Sequence, residues 1–216
     1  AFTLTDCNGS EGTYRFSDTD GQWLLNDTGE QEVTGGVITH GETNSGNAVK
    51  VDGGTFAMYG GTICGNRTSY GGGVYVSSGA FTMDDGVISH NTANPGCGGG
   101  VYMLGGSFTM SGGSITGNTA TGGGFSSTGK GGGVYVSGGS TFTMTGGSIA
   151  DNSATEGSSS YTGYGGGVYV SSGSTDATFT MSGGSITDNT ATQYGGGVYV
   201  DGSFDASGSA CITDNM

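Results

Sequence analysis

Basic residues are the scarcest group in this chain. Only Arg15, Lys50, Arg67 and Lys130 stand against 18 acids, for a net charge of −14. They lie far apart in sequence, so no basic patch exists to neutralise a nucleic-acid backbone or an anionic membrane surface. Proline occurs once, at Pro95, and no Gly-X-Y period accompanies the glycines, which excludes a collagen helix. No apolar run approaches the roughly 18–20 residues of a membrane-spanning helix, so no membrane insertion is expected. Hydrophobic residues make up only 32% of the chain, a level that commonly accompanies disorder. No charged-then-apolar segment opens the sequence. The expectation is an extracellular or cell-surface product whose signal has been removed, or an excised piece. The stop at Met216, at the close of a repeat motif, suggests excision.

What is present is glycine, 51 of 216 residues, and a repeat. The tripeptide V-Y-V stands at 74–76, 134–136, 168–170 and 198–200, with V-K-V at 49–51 and V-Y-M at 101–103. A second cluster, F-x-M, stands at Phe56/Met58, Phe81/Met83, Phe108/Met110, Phe142/Met144 and Phe179/Met181. Ile follows each such Met by five residues, and Asn follows each Ile by three. The Asn positions are Asn66, Asn91, Asn118, Asn152 and Asn189, and Asn215 closes the series after Phe204, Ala206 and Ile212 with one residue inserted. Toward the start, Phe2 and Leu4 look like a worn F-x-M. Val33 and Ile38 keep the five-residue spacing, with Gly41 in the Asn place.

V-x-V and F-x-M have the period of two that marks strands, and Gly-rich turns separate them. Fixed clusters joined by stretches of varying length describe one structural unit per repeat, with insertions at defined loops. The pattern predicts an all-β fold: a right-handed parallel β-helix, or solenoid, with three short strands per coil and about seven to eight coils. Residues 33–216 form the repeats. Residues 1–32, with Tyr14, Phe16, Trp23, Leu24 and Leu25, are expected to be a degenerate N-terminal coil that caps the rod.

Alternation places each Val, Phe, Met and Ile inside and the residues between them outside. The Asn column is read as structural. An inward Asn at a turn bonds backbone groups and the Asn stacked above it, as in cross-β ladders. No GxGxxG-type phosphate cradle is read from the glycine runs, which precede strands and recur in every coil.

The string I-x-x-N-T-A…G-G-G-V-Y resembles the paired FxxN and GG-A-I repeats of chlamydial polymorphic membrane proteins. It is also similar to adhesin-like β-helix repeats on the surfaces of gut bacteria and methanogenic archaea. Ile88 to Asn91 followed by Gly98 to Tyr102 carries the resemblance, as does Ile186 to Asn189 followed by Gly195 to Tyr199. It covers about residues 33–216. The departures are Ile for the first Phe and Val for Ala. What the resemblance implies is a surface-exposed passenger or stalk, and no catalytic residues come with it.

Three outward features are candidates for function. Tyr75, Tyr102, Tyr135, Tyr169 and Tyr199 should stack on one face, with Lys50 beginning the row. Such a strip binds sugar rings or another protein, or simply stabilises parallel strands. Tyr161, Tyr164 and Tyr194, just before the Gly triplets, would widen it. Two residues after each Ile runs a column with Asp151, Asp188 and Asp214. These either hold a cation such as Ca²⁺, the one cofactor in view, or splay into water. His40 and His90 share that column, but a glycine coil separates them, so no zinc site is read. Cys7, Cys64, Cys97 and Cys211 are disulfide candidates. Cys64 and Cys97 are one coil apart, whereas Cys7 and Cys211 near opposite ends could pair only between molecules.

The expected function is a non-catalytic adhesin-like or stalk segment that binds host glycan or protein through an exposed face. The alternative is a fibre subunit whose copies stack end to end. Weaker alternatives are a polysaccharide-active enzyme, for which Asp84 and Asp85 lack a neighbouring base, and an ice-binding protein, for which the Ser/Thr pairs beside Ile are too mixed.

Overall fold

The computed structural model describes residues 37–39, 46–123, 128–157 and 162–216, together with the backbone of strands Phe2–Leu4, Tyr14–Ser17, Gln22–Leu25 and Gln31–Val33. It is a parallel β-helix. The valine rungs stack in register from Val49–Val51 through Val74, Val101, Val134 and Val168 to Val198. Phe2, Phe56, Phe81, Phe108, Phe142, Phe179 and Phe204 form a second ladder. Ile38, Ile63, Ile88, Ile115, Ile149, Ile186 and Ile212 form a third. In two coils these strands run on around the corners as Val49–Cys64 and Val74–Ser89.

Two further ladders complete the coil. One joins Thr92, Thr119, Ser153 and Thr190, with Ala93, Ala120 and Ala154 buried behind it. The other is short and precedes the Gly triplets, pairing Tyr70, Cys97, Lys130, Tyr164 and Tyr194 in turn.

The first coil departs from the spacing argument. Phe2 and Leu4 pair with Phe56 and Met58, and Ile38 pairs with Ile63, as expected. Val33 does not supply the Met position. It pairs with Tyr14 in an antiparallel sheet of Tyr14–Ser17, Gln22–Leu25 and Gln31–Val33. That sheet is inserted between the second and third strands of the coil, so the five-residue gap to Ile38 was coincidental.

The inward side chains carry the packing. Val74, Val76, Phe81, Met83, Ile88 and their copies in the next three coils are fully buried. The Phe rings stack face to face at 4.5–5.1 Å with interplanar angles of 5–18°. Stacked pairs add about 0.5–1.5 kcal/mol each to the apolar area removed from water. One coil alone has no second layer to bury against, so the core exists only between coils.

The Gly triplets let the coils close on each other. Gly131 sits at φ +64°, Gly132 faces the Gly166 carbonyl where a Cβ would come within 2.5 Å, and Gly133 is pressed on Ile149. Only the absence of a side chain satisfies all three.

The Asn column is a buried hydrogen-bond ladder. Asn91 Nδ2 donates to Asn118 Oδ1 at 2.9 Å, and Asn118, Asn152 and Asn189 repeat the bond upward to Asn215. The backbone N–H of each donates to the same Oδ1. Nδ2 also reaches the Ile carbonyl of the preceding coil, as from Asn118 to Ile88 at 2.9 Å. Asn66 Oδ1 has no partner among the described residues, and the sequence places Gly41 where the next Asn would stand. Orphaning a buried polar group costs about 1–3 kcal/mol. Asn118→Ala strips partners from the Asn91 N–H and the Ile88 carbonyl and should cost about 3–5 kcal/mol in urea unfolding. Asn66→Ala, whose Oδ1 accepts nothing, should cost about 1–2 kcal/mol.

Candidate functional site

Parallel register brings the five predicted tyrosines together. Tyr75, Tyr102, Tyr135, Tyr169 and Tyr199 stack at 4.9–5.3 Å with interplanar angles of 7–15°. Lys50 stands in register below Tyr75 and pairs with Asp52 at 3.5 Å. The ladder before the Gly triplets leans over this column from one side. Tyr70 tilts onto Tyr102 at 5.3 Å, Tyr164 onto Tyr199 at 5.0 Å, and Lys130 Nζ lies 4.7 Å from the Tyr169 ring centre. Each reaches diagonally to the tyrosine of the next coil. Tyr164 and Tyr194 widen the strip as expected; Tyr161 lies outside the described residues.

Tyr70 belongs to the site and escaped the sequence reading. It has the same signal as Tyr164 and Tyr194, a Tyr directly before Gly-Gly-Gly. Leu104 was also missed. It is exposed in a column otherwise made of Asp52, Ser77, Ser137, Ser171 and Asp201.

Because the rings stack on each other, they present edges and hydroxyls to the outside, not faces. Tyr169 is only 3% exposed, and its hydroxyl donates to Asp201 Oδ2 at 2.6 Å. Burial holds the Tyr102 and Tyr135 phenols above their ordinary range. Burial, and then Asp201, does the same to Tyr169. The Ser77 hydroxyl and Lys50 hold the Asp52 carboxyl below its usual range.

One geometric regularity singles out this face. From Met to Ile is always five residues in the coils from Met58 to Met181, and from Ile to Asn always three. Between Val49 and Phe204 length varies at two corners only. From Asn to the next Gly triplet the step is 5 residues at Asn66, 7 at Asn91, 13 at Asn118 and Asn152, and 6 at Asn189. From the valine strand to the next Phe it is 5 after Val51, 6 after Val136, 9 after Val170 and 4 after Val200. These corners lie on either side of the V-Y-V strand.

The aspartate column has a backbone cause. His90, Asp151, Asp188 and Asp214 have φ between 52° and 58°, and Gly65 and Gly117 share the position with φ 66° and 63°. Asp and His tolerate this left-handed corner better than most residues with a side chain. Among the described residues no group of three or more His, Cys, Asp or Glu is placed to hold a metal ion. His40 lies outside the described residues.

Of the disulfide candidates, Cys64, Cys97 and Cys211 are free. Cys64 is buried beside Ile63, while Cys97 stands in the ladder before the Gly triplet, on another side of the coil. Cys211 is an exposed thiol on the last Ile strand, and Cys7 lies outside the described residues. Burial pushes the Cys97 thiol up to about 11, with Lys130 opposing, and pushes Cys64 higher still. Neither is poised as a nucleophile.

The chain matches no protein-family model, no curated protein and no solved structure. Its class is set by its geometry, a parallel β-helix with an internal Asn ladder and an external tyrosine face.

The phenol shifts fix a pH dependence. An unfolded tyrosine ionises near pH 10, and burial raises that value in the folded ladder. The stability tied to neutral phenols is therefore complete below about pH 10 and is lost as pH rises beyond it. Urea midpoints should hold steady approaching pH 10 from below and fall above it. Tyr135→Phe, which keeps the stack, should flatten the fall.

Proposed function

We propose that this chain is a non-catalytic, extracellular or cell-surface β-helix segment of adhesin-like or stalk type that contacts a host glycan or protein through its tyrosine face. The observation that carries this is the position of the length changes. A solenoid tolerates insertions at any corner that solvent reaches, and in repeat proteins they gather beside the surface used for binding. Between Val49 and Phe204 they bracket the tyrosine strand, whereas the first coil carries its antiparallel sheet, and the last coil one extra residue, at the corner before the Ile strand.

The chemistry of the face suits an interface. Tyr70 and Leu104 are exposed apolar anchors, with Ser77, Ser137, Lys50 and Asp52 as a polar rim. The stacked rings are already ordered, so a partner meets them at little cost in side-chain entropy. Stacking also directs the mode of contact, since a sugar would meet phenol edges and hydroxyls, not open ring faces.

The test is binding of the purified chain to glycan arrays and to immobilised host-surface proteins, repeated with Tyr70→Ser and Leu104→Asp. Both side chains are exposed, so the variants should fold. The expected outcome is a defined ligand whose affinity falls at least about tenfold, the loss of roughly 1.4 kcal/mol, in each variant. Retained affinity in both removes the tyrosine face from the reading.

A further inference from the structure

The tyrosines have a property that partner binding does not use: eight of them form one unbroken chain of ring contacts. The ladder from Tyr75 to Tyr199 is its trunk. Tyr70 joins it at Tyr102, 5.3 Å away, and Tyr164 joins at Tyr199, 5.0 Å away. Tyr164 passes the chain on to Tyr194 at 5.9 Å. The two members that reach furthest into solvent are its branch ends, Tyr70 at 50% and Tyr194 at 57% exposure. Tyr59 is equally open at 51%, yet among the described residues it stacks on no other ring.

We propose that this network is an oxidation relay that delivers phenoxyl radicals to Tyr70 and Tyr194 and makes these two residues sites of intermolecular dityrosine cross-linking by hydrogen peroxide and a peroxidase. A one-electron oxidant takes an electron from any ring of the network, and the phenol releases its proton. A neighbouring phenol in van der Waals contact refills the vacancy by giving up its own electron and proton, so the radical moves ring by ring.

Burial makes the Tyr102 and Tyr135 phenols hold their protons more tightly than a free tyrosine does, so the radical does not rest on them. At Tyr169 the Asp201 carboxylate takes the phenol proton and returns it as the radical moves on. The Lys130 ammonium, 4.7 Å from the Tyr169 ring, also disfavours positive charge there. At the branch ends, water accepts the proton. Radicals on two molecules then join through a carbon–carbon bond between ring positions ortho to the hydroxyls, and proton shifts restore both aromatic rings. In all, two phenols lose two electrons and two protons, and one hydrogen peroxide takes them and becomes two waters. The two ends lie on different coils, so each molecule has two attachment points and the product is a linear chain, not only a dimer.

The experiment treats the purified chain with horseradish peroxidase and hydrogen peroxide. Products are read on reducing gels, which remove any Cys211 disulfide, and by dityrosine fluorescence and mass-spectrometric mapping of the linked residues. The expected result is a series of covalent oligomers linked through Tyr70 and Tyr194 well in excess of Tyr59. Tyr102→Phe keeps the stack but cannot carry a phenoxyl, and it severs Tyr70 from the trunk. Linkage at Tyr70 should then fall to the level of Tyr59 while Tyr194 is unchanged. Equal linkage at Tyr59 in the unaltered chain, or no change at Tyr70 in Tyr102→Phe, overturns the relay and leaves solvent exposure as the cause.

Discussion

A buried amide must find partners, and in this molecule the same residue one coil away is one of them from Asn66 to Asn215. Every Oδ1 in the ladder from Asn91 to Asn215 accepts two hydrogen bonds from the Asn below it, one from the backbone and one from the side chain. A slip of one residue between coils would orphan all of these groups at once and would turn every valine and phenylalanine to the outside. Register is therefore fixed from within. The stacked Phe rings, the valine rungs and the external tyrosines follow from that fixed register.

This constraint explains how a chain with only 32% hydrophobic residues folds. Each coil has a few large apolar side chains, and stacking buries them on both flat sides. The outer surface needs only residues that fit a pleated strand, and Ser, Thr and Gly supply them. Charge is almost absent from the rungs. The acids at 151, 188 and 214 occur where the backbone itself favours Asp.

The repeat fold was legible because its signals are spaced in residues and each inward side chain is large. Ile115, Asn118 and Phe108 announce their places by spacing alone. The Thr-Ala ladder was not read as a strand because its one inward residue, such as Ala120, is too small to show a period of two. The Asp column was read through its charge, which is visible in a sequence, and not through its φ, which is not. Val33 misled because a five-residue gap is a weak signal when an antiparallel sheet interrupts the coil. Of the site, the five-tyrosine column was legible, since register follows from the repeat. Leu104 was not, because only its exposure among serines and aspartates sets it apart. The bracketing of the tyrosine face by variable corners was present in the residue numbers, but it acquires meaning only once those corners are known to flank one strand.

Both proposals for the tyrosine face depend on rigidity. The proposed contact surface and the proposed oxidation relay both rest on rings held at about 5 Å intervals by the core beneath. Both uses fail if the coils slide. The most direct measurement is a nitrogen-edited nuclear Overhauser spectrum of the Asn side-chain amides. The account predicts a single chain of cross-peaks running Asn66 to Asn91 to Asn118 to Asn152 to Asn189 to Asn215. Asn amides that contact solvent or unrelated residues, or cross-peaks that skip members of this series, would contradict it.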